Sequence, residues 1–370
     1  GSSKDTWIVS KGAVNTFSLL KPSLGKADLI RSGSNLSSRV VENLYWFGRY
    51  TERCDSSARF LRLSLARLIG ASTDTLPALA SAIDLCGVLK LLPELDPDSE
   101  PKNPMVHAEF EQRMLTAICG EEWGDGLAGN IRRLLWVGTQ VRERFSLDNW
   151  HALNRLQRQL QRYDDDDHPE VSDAQAFLDQ ILLASSALAG FAMDDITRDD
   201  GWRFLIIGRR IERVIFLANA ISGFLRLNST RAAGSLEWLL ELADSSITYR
   251  SRYMAQPELL PALDLIVFDD ANPHAVIFQL TTLERYLSRL PRELGETRDD
   301  AWQQATAHLQ AFDLACLEHL DFSSGEEGEP YLDLAGRLDA ISFAASTLSD
   351  RLALRYFTHV GDVGRQTLAA

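Results

Sequence analysis

Two segments of this chain carry the same charged residues at the same spacing. Gly48, Arg49, Glu52 and Arg53 stand in ENLYWFGRYTERCDSSARFL, and Gly208, Arg209, Glu212 and Arg213 stand in WRFLIIGRRIERVIFLANAI, 160 positions later. A guanidinium offers a two-pronged donor to a carboxylate, and a helix-borne glutamate is either its ion-pair partner or a general base. Both segments read as long helices with an apolar stripe at heptad-like spacing. The stripe is Val40, Leu44, Phe47, Cys54, Ala58, Leu61 and Leu65 in the first, and Phe204, Ile207, Ile211, Val214, Ala218, Ile221 and Leu225 in the second. The arginine and glutamate fall on the side of each helix opposite its stripe. In the second copy Trp202, Leu205 and Phe216 share that side, so this helix is apolar nearly all round and belongs in an interior. Three readings of the charges stay open: an internal ion-pair network that only holds helices together, a polar cleft for a ligand, and a solvated face. An exposed pair of this kind is worth only a few tenths of a kcal/mol, little reason to set it among large apolar groups.

A second cluster gathers donors on one side of a helix beginning near Ser235. It holds Asp244, Ser245, Ser246, Thr248, Tyr249, Arg250 and Tyr253, with Ser246, Tyr249, Arg250 and Tyr253 spaced three, one and three apart. It is either a polar helix face edged by tyrosines or an anion site, because arginine supplies a fork and tyrosine a directed hydroxyl. The run from Trp136 to Asn154, with Arg142, Arg144, a capping Ser146 and Trp150, reads as structural. The candidate ligand-binding set is Glu42, Arg49, Glu52, Arg53, Arg209, Glu212, Arg213, Ser246, Tyr249 and Arg250. Arg49, Glu52, Arg209, Glu212, Tyr249 and Arg250 are expected to converge on one cleft that holds an anion or small zwitterion. No catalytic residue is assigned.

Other chemistries lack their residues. There is no phosphate-cradling Gly-x-x-x-x-Gly-Lys-Ser/Thr, no Gly-x-Ser-x-Gly elbow and no His-Glu-x-x-His. Gly124, Gly126 and Gly129 satisfy Gly-x-Gly-x-x-Gly with no strand before them, a chance match in a loop. Carboxylate-bridged metal bundles need Glu-x-x-His, and no histidine follows Glu52 or Glu212 at that spacing, so no metal site is expected. The acidic run from Asp164 to Asp167 reads as a solvated loop.

The elements that must position these groups are helices. Between breaks at 95–104, 120–129, 164–170, 226–235, 269–273, 290–300 and 323–330 run segments with apolar residues three and four apart, the signature of an all-α bundle. Ser34 or Asn35 is expected to cap the first long helix, Asp199 and Asp200 the second signature helix, and Asn272 before Pro273 a later one. Only residues 5–20 look strand-like, and residues 21–35 look like a linker. The expected division is a remnant at 1–34 and a large helical domain at 35–370, with Gly1–Ser2 read as a cleavage scar.

The 370 residues are 45% hydrophobic, enough for a large core, and a net charge of −14 argues against nucleic-acid or membrane-surface partners, which want a basic face. Cys54, Cys86, Cys119 and Cys316 show no paired spacing and read as reduced, small core residues of a cytoplasmic protein. No apolar run reads as reaching the roughly 18–20 residues of a membrane span, and no signal peptide is seen.

With these residues in view, the chain resembles the alpha-E domain family, all-helical bacterial proteins named for their glutamate-bearing helices. The resemblance runs through LSSRVVENLYWFGRYTERCDSSARFL, RDDGWRFLIIGRRIERV, LLELADSSITYRSRYM and DANPHAVIFQL and covers about residues 35–360. The preceding SSKDTWIVSKGAVNTFSLL resembles the tail of a circularly permuted ATP-grasp enzyme. The resemblance implies an alpha-E part of a fusion whose other half needs ATP and Mg and joins a carboxylate to an amine. It also implies association with transglutaminase-like proteins and a proteasome-like peptidase. No cofactor is expected in this part itself. The expected function is an auxiliary module that binds a peptide or amino-acid substrate for, or assembles with, an ATP-grasp ligase. The alternatives are an enzyme using Glu52 or Glu212 as general base and a purely structural bundle that scaffolds a homo-oligomer. An adjacent arginine lowers a glutamate pKa, which disfavours the base.

Overall fold

The two signature segments fold as helices that cross at their glycines. The computed structural model describes residues 36–69, 76–91, 107–119, 126–164, 170–227, 230, 234–290, 300–318 and 329–357, with short stretches at 9–13, 25–26 and 29. The helices among them are α1 (Ser38–Ile69), α2 (Leu76–Val88), α3 (His107–Cys119), α4 (Leu127–Gln140), α5 (Leu147–Asp164), α6 (Val171–Gly190) and α7 (Asp200–Arg226). They continue with α8 (Ser235–Leu242), α9 (Ser246–Tyr253), α10 (Leu259–Leu263), α11 (Val276–Leu287), α12 (Asp300–Gln310) and α13 (Glu329–Tyr356). A π turn extends α6 to Asp195 and another extends α10 to Phe268. No strand occurs among the described residues, and the fold is an all-α bundle.

The chain divides into units at Gly1–Asn35 and Leu36–Ala370. In the first, the described part of the strand-like stretch is a bend at Ser10–Gly12, where the Gly12 N–H donates to Ser10 Oγ at 3.3 Å. The rest of that stretch lies outside the described residues, as do Asp165 to Asp167 of the acidic run.

In the second unit, α7 packs along both α1 and α13, α4 and α6 cover another flank of α1, and α11 closes on α7. The close approach of α1 and α7 follows from Gly48 and Gly208. A Cβ on Gly48 would collide with the Leu205 carbonyl oxygen, and one on Gly208 with that of Tyr45. Both contacts join positions about 160 apart, so the helices run in the same direction, in register, about a local two-fold relation. The stripes opposite the crossing fill the core. Phe47 meets Phe145 at 5.0 Å, and Phe145 meets Phe191 at 4.7 Å between ring centroids.

Local chemistry moves several boundaries away from expectation. α1 starts at Ser38, where the Ser37 hydroxyl accepts from the Val40 N–H at 3.4 Å; Ser34 and Asn35 lie outside the described residues. Asp199 caps α7 as expected, accepting from the Trp202 N–H at 3.0 Å. Asn272 does not cap α11, which begins at Val276; buried, it donates to Ser245 Oγ at 3.1 Å and to the Leu265 carbonyl at 2.9 Å, fastening the turn before that helix. The helix expected from Ser235 through Tyr253 is two helices. Asp244 takes a left-handed φ of 51° between them, a conformation aspartate tolerates better than most residues.

One further correction concerns length. The helical stretch Val171–Asp195 has the length and hydropathy of a membrane span, with 44% of its apolar window buried inside the fold against α1 and α5. Cys54 and Cys86 are buried, but Cys316 is exposed rather than a core residue.

The crossing gives a sharp test. Gly→Ala in a helix normally stabilises by about 0.5–1 kcal/mol, and Gly336→Ala in α13, where an added methyl meets nothing within 4 Å, is expected to do so. Gly48→Ala and Gly208→Ala should instead each cost about 1–3 kcal/mol in urea unfolding, because the backbones must separate. Equal effects at all three positions would refute the glycine crossing.

Candidate functional site

Just past the glycines, each signature helix sends its glutamate to the arginines of the other. Glu212 accepts from Arg49 Nε at 2.7 Å and from Arg53 Nε and Nη2 at 2.8 and 2.9 Å. Glu52 mirrors it, accepting from Arg209 Nη2 at 3.3 Å and from Arg213 Nε. The spacing explains the pattern. Arginines at one and five positions after the glycine lie a turn apart and flank the glutamate at four, so an in-register crossing brings each glutamate between two opposing guanidinium groups. α13 adds Ser349, whose hydroxyl meets Arg49 Nη1 and receives the Tyr45 hydroxyl at 2.7 Å.

The centre of the clamp is interior. Glu52 is 2% exposed, and Glu212 and Arg49 are each 7% exposed. Burial alone would raise both glutamate pKa values, but Arg213 and Arg209 around Glu52, and Arg49 and Arg53 around Glu212, outweigh it and hold both below the usual range. Neither carboxylate is therefore set up as a base. The neighbouring Arg210 donates to Gln279 Oε1 at 2.7 Å, and burial followed by Arg213 and Arg209 brings its pKa down to about 10. Burial and then Glu52 push Asp55 up.

A cavity of about 520 Å³ lies beside the Arg53–Glu212 side of this clamp. Its polar lining includes Ser56 and Ser57 of α1, Asn219 of α7, and Ser342 and Ser346 of α13; Ile215, Phe216 and Phe343 supply apolar wall. On the Glu52–Arg213 side only about 30 Å³ remains, closed by Leu242, Ala243, Asp244 and His274.

The expected six-residue convergence does not form. Arg49, Glu52, Arg209 and Glu212 come together with Arg53 and Arg213, but each is paired with another member of the six. The Tyr249 hydroxyl is taken up locally by the Gln256 carbonyl at 3.2 Å and the Glu258 N–H at 3.0 Å, while Arg250 is exposed. The break at Asp244 turns α9 aside, so it is Asp244, not Tyr249 or Arg250, that reaches the clamp. Ser246 is half-buried at the start of α9, and Glu42 half-buried ten positions before Glu52 on α1. Among the described residues no group of three or more metal-ligating side chains comes together.

Residues 36–357 match the Alpha-E model, described as a predicted alpha-helical domain with a conserved ER motif. The chain belongs to the Alpha-E family. Glu52–Arg53 and Glu212–Arg213 are two such Glu-Arg pairs. Uncharacterized proteins of two Mycobacterium tuberculosis strains and of Mycobacterium bovis are each 25% identical to it over 340 residues, covering 81% of this chain. The chain spans only 35% of those relatives' own length. No solved structure matches it.

In this Alpha-E domain the sequence reading missed the α13 groups. Ser342, Ser346 and Ser349 repeat at four and three, a polar stripe that could have marked a third helix at the clamp. Asn219 stands in α7 seven positions after Glu212, on the same side of the helix, and was equally legible.

Glu212→Ala should cost about 3–5 kcal/mol at neutral pH, because it strands buried guanidinium groups. The pH dependence has a definite sign. Both glutamates have folded pKa values below their ordinary 4.5, so their stabilisation is complete above that value and lost as pH falls through the lower folded one. The stability deficit of a Glu52→Gln, Glu212→Gln double variant should thus be largest near pH 7 and shrink below about pH 4.5, where the parent protonates too. Thermal unfolding across pH checks this; a deficit that stays constant would contradict the clamp.

Proposed function

We propose that this Alpha-E domain is a non-catalytic substrate-binding and assembly module of an ATP-grasp amide-ligase system, working in the cytoplasm. The observation that carries the reading is the cavity of about 520 Å³ whose wall includes one arm of the clamp. Its size falls in the range of small-molecule sites, and its mixed lining of hydroxyls, two amides, a guanidinium, an ammonium, carboxylates and aromatic rings suits a peptide or amino acid better than a purely apolar ligand. Both clamp glutamates are held ionised by paired arginines, which argues against a general-base role and leaves binding as the cavity's use. The resemblance of the N-terminal segment to an ATP-grasp tail, and relatives whose matched part is 35% of their length, support a partner module that supplies ATP, Mg and the acyl-transfer chemistry.

A structural reading competes on a specific observation: all six signature charges are paired within the fold. The two readings part at the cavity. Ser346 lines it and is exposed, so Ser346→Trp should fill it without disturbing the core. Joined to its ATP-grasp module, this variant should lose at least tenfold in amide product by mass spectrometry, with nucleotide binding and melting temperature kept. Ser251→Trp, on exposed α9, should retain activity. Full activity in Ser346→Trp would leave the structural reading in its place.

A further inference from the structure

The local two-fold relation between α1 and α7 extends to the spaces on either side of the clamp. Arg53, Glu212 and Ser56 of the large cavity correspond, 160 positions away, to Arg213, Glu52 and Phe216 of the small one. Ser57, Ile215 and Asn219 correspond in the same way to Leu217, Asp55 and Arg59, and Phe216 to Ser56. Every signature-helix residue lining one space therefore has its counterpart lining the other. The spaces are symmetry mates, one open and one filled.

A protein carboxylate helps close the small one. Asp244, on its left-handed turn, places Oδ1 3.5 Å from Arg59 Nη1 and Oδ2 3.8 Å from His274 Nε2. Its field, with that of Glu52 and Asp55, stabilises the charged form of Arg213. Arg59 also pairs with Asp55, one turn before it on α1, at 3.5 Å. On the open side that pair is replaced by Ile215 and Asn219, two neutral groups, so removing it leaves the charge balance unchanged. The remaining charged differences are Asp244, which lines the small space only, and Lys90 and Asp339, which line the open cavity only. The carboxylates lining the open cavity are engaged elsewhere: Glu212 by Arg49 and Arg53, and Asp339 by Arg226 and Ser222. Arg53 gives Nε and Nη2 to Glu212 and keeps 28% of its side chain exposed, with Nη1 the prong left for a ligand.

We infer that the open cavity binds the carboxylate of a short peptide or amino acid, seated between Arg53 and Asn219 as Asp244 is seated against Arg59 beside Arg213. The inference rests on the reading of this cavity as a ligand site and names the ligand group it selects. Asn219 stands where Arg59 stands on the filled side and offers an amide N–H in place of a guanidinium, while Ile215, Phe216 and Phe343 offer a wall for the apolar part of the ligand. The large space supplies the room that Asp244, a side chain of the chain itself, does not need.

The test is direct binding to this chain by saturation-transfer NMR, with acetyl-alanyl-alanine and its C-terminal carboxamide as probes. The acid should bind saturably and the carboxamide at least tenfold more weakly. Asn219→Leu should weaken the acid at least tenfold. Asn219→Arg, which recreates the Arg59 arrangement, should tighten it several-fold. Asp244→Asn, on the filled side, should leave it unchanged. Equal binding of acid and carboxamide, no binding of the acid, or an Asn219→Arg variant no tighter than the parent overturns the inference, and the last arm decides if Asn219→Leu fails to fold. If the acid does not bind while Ser346→Trp still abolishes ligation, the cavity remains a ligand site and only its carboxylate preference falls.

Discussion

The contact on which the rest of this structure depends is backbone against backbone, where α1 and α7 touch at Gly48 and Gly208. Only the absence of two side chains lets the helix axes come this close. Closeness then fixes everything one turn onward. At ordinary interhelical separation, an arginine and a glutamate on facing helices can meet through extended side chains at a solvated edge. Here they meet in the interior, in a geometry the crossing has already set.

Burying Arg49, Glu52 and Glu212, with the other three arginines half-buried, carries a large desolvation cost, and the fold offsets it by pairing rather than by exposure. Each carboxylate takes two guanidinium groups, and Ser349, with Tyr45 behind it, takes another donor of Arg49. Four arginines against two glutamates leave positive charge to be answered. On one side Asp55 and Asp244 answer it; on the other Ile215 stands in place of Asp55, and the lining carboxylate Asp339 is paired with Arg226. The charge imbalance and the unequal cavities are thus one feature seen in two ways.

Much of this was legible in the sequence. The repeated Gly-Arg-x-x-Glu-Arg, its opposed apolar stripe and Trp202, Leu205 and Phe216 around it implied a buried, charged helix, and α7 is one. The all-α architecture followed from the spacing of apolar residues. The placement of Tyr249 and Arg250 was not legible, because it turns on the left-handed φ of a single residue, Asp244, and nothing in a run of helix-compatible residues announces that break. Asn272 misled for a related reason. Its side chain matches a capping pattern, but burial against Ser245 and Leu265 offered it better partners than a helix end. The cavity itself was not legible either, since its walls come from α1, α2, α4, α7 and α13, and only the tertiary arrangement brings them to one place.

The two halves of the crossing are joined in one chain, and this has a consequence for stoichiometry. Two identical helices from separate subunits, crossing at the same glycines, would be bound by symmetry to present two identical cavities, and so two equivalent sites. Covalent linkage lifts that constraint, because position 59 can hold arginine while position 219 holds asparagine, and position 55 aspartate while position 215 holds isoleucine. One side is then free to become permanent structure, and on the carboxylate-site proposal such a domain would offer a single seat per chain, with no second equivalent seat through which occupancy could become cooperative.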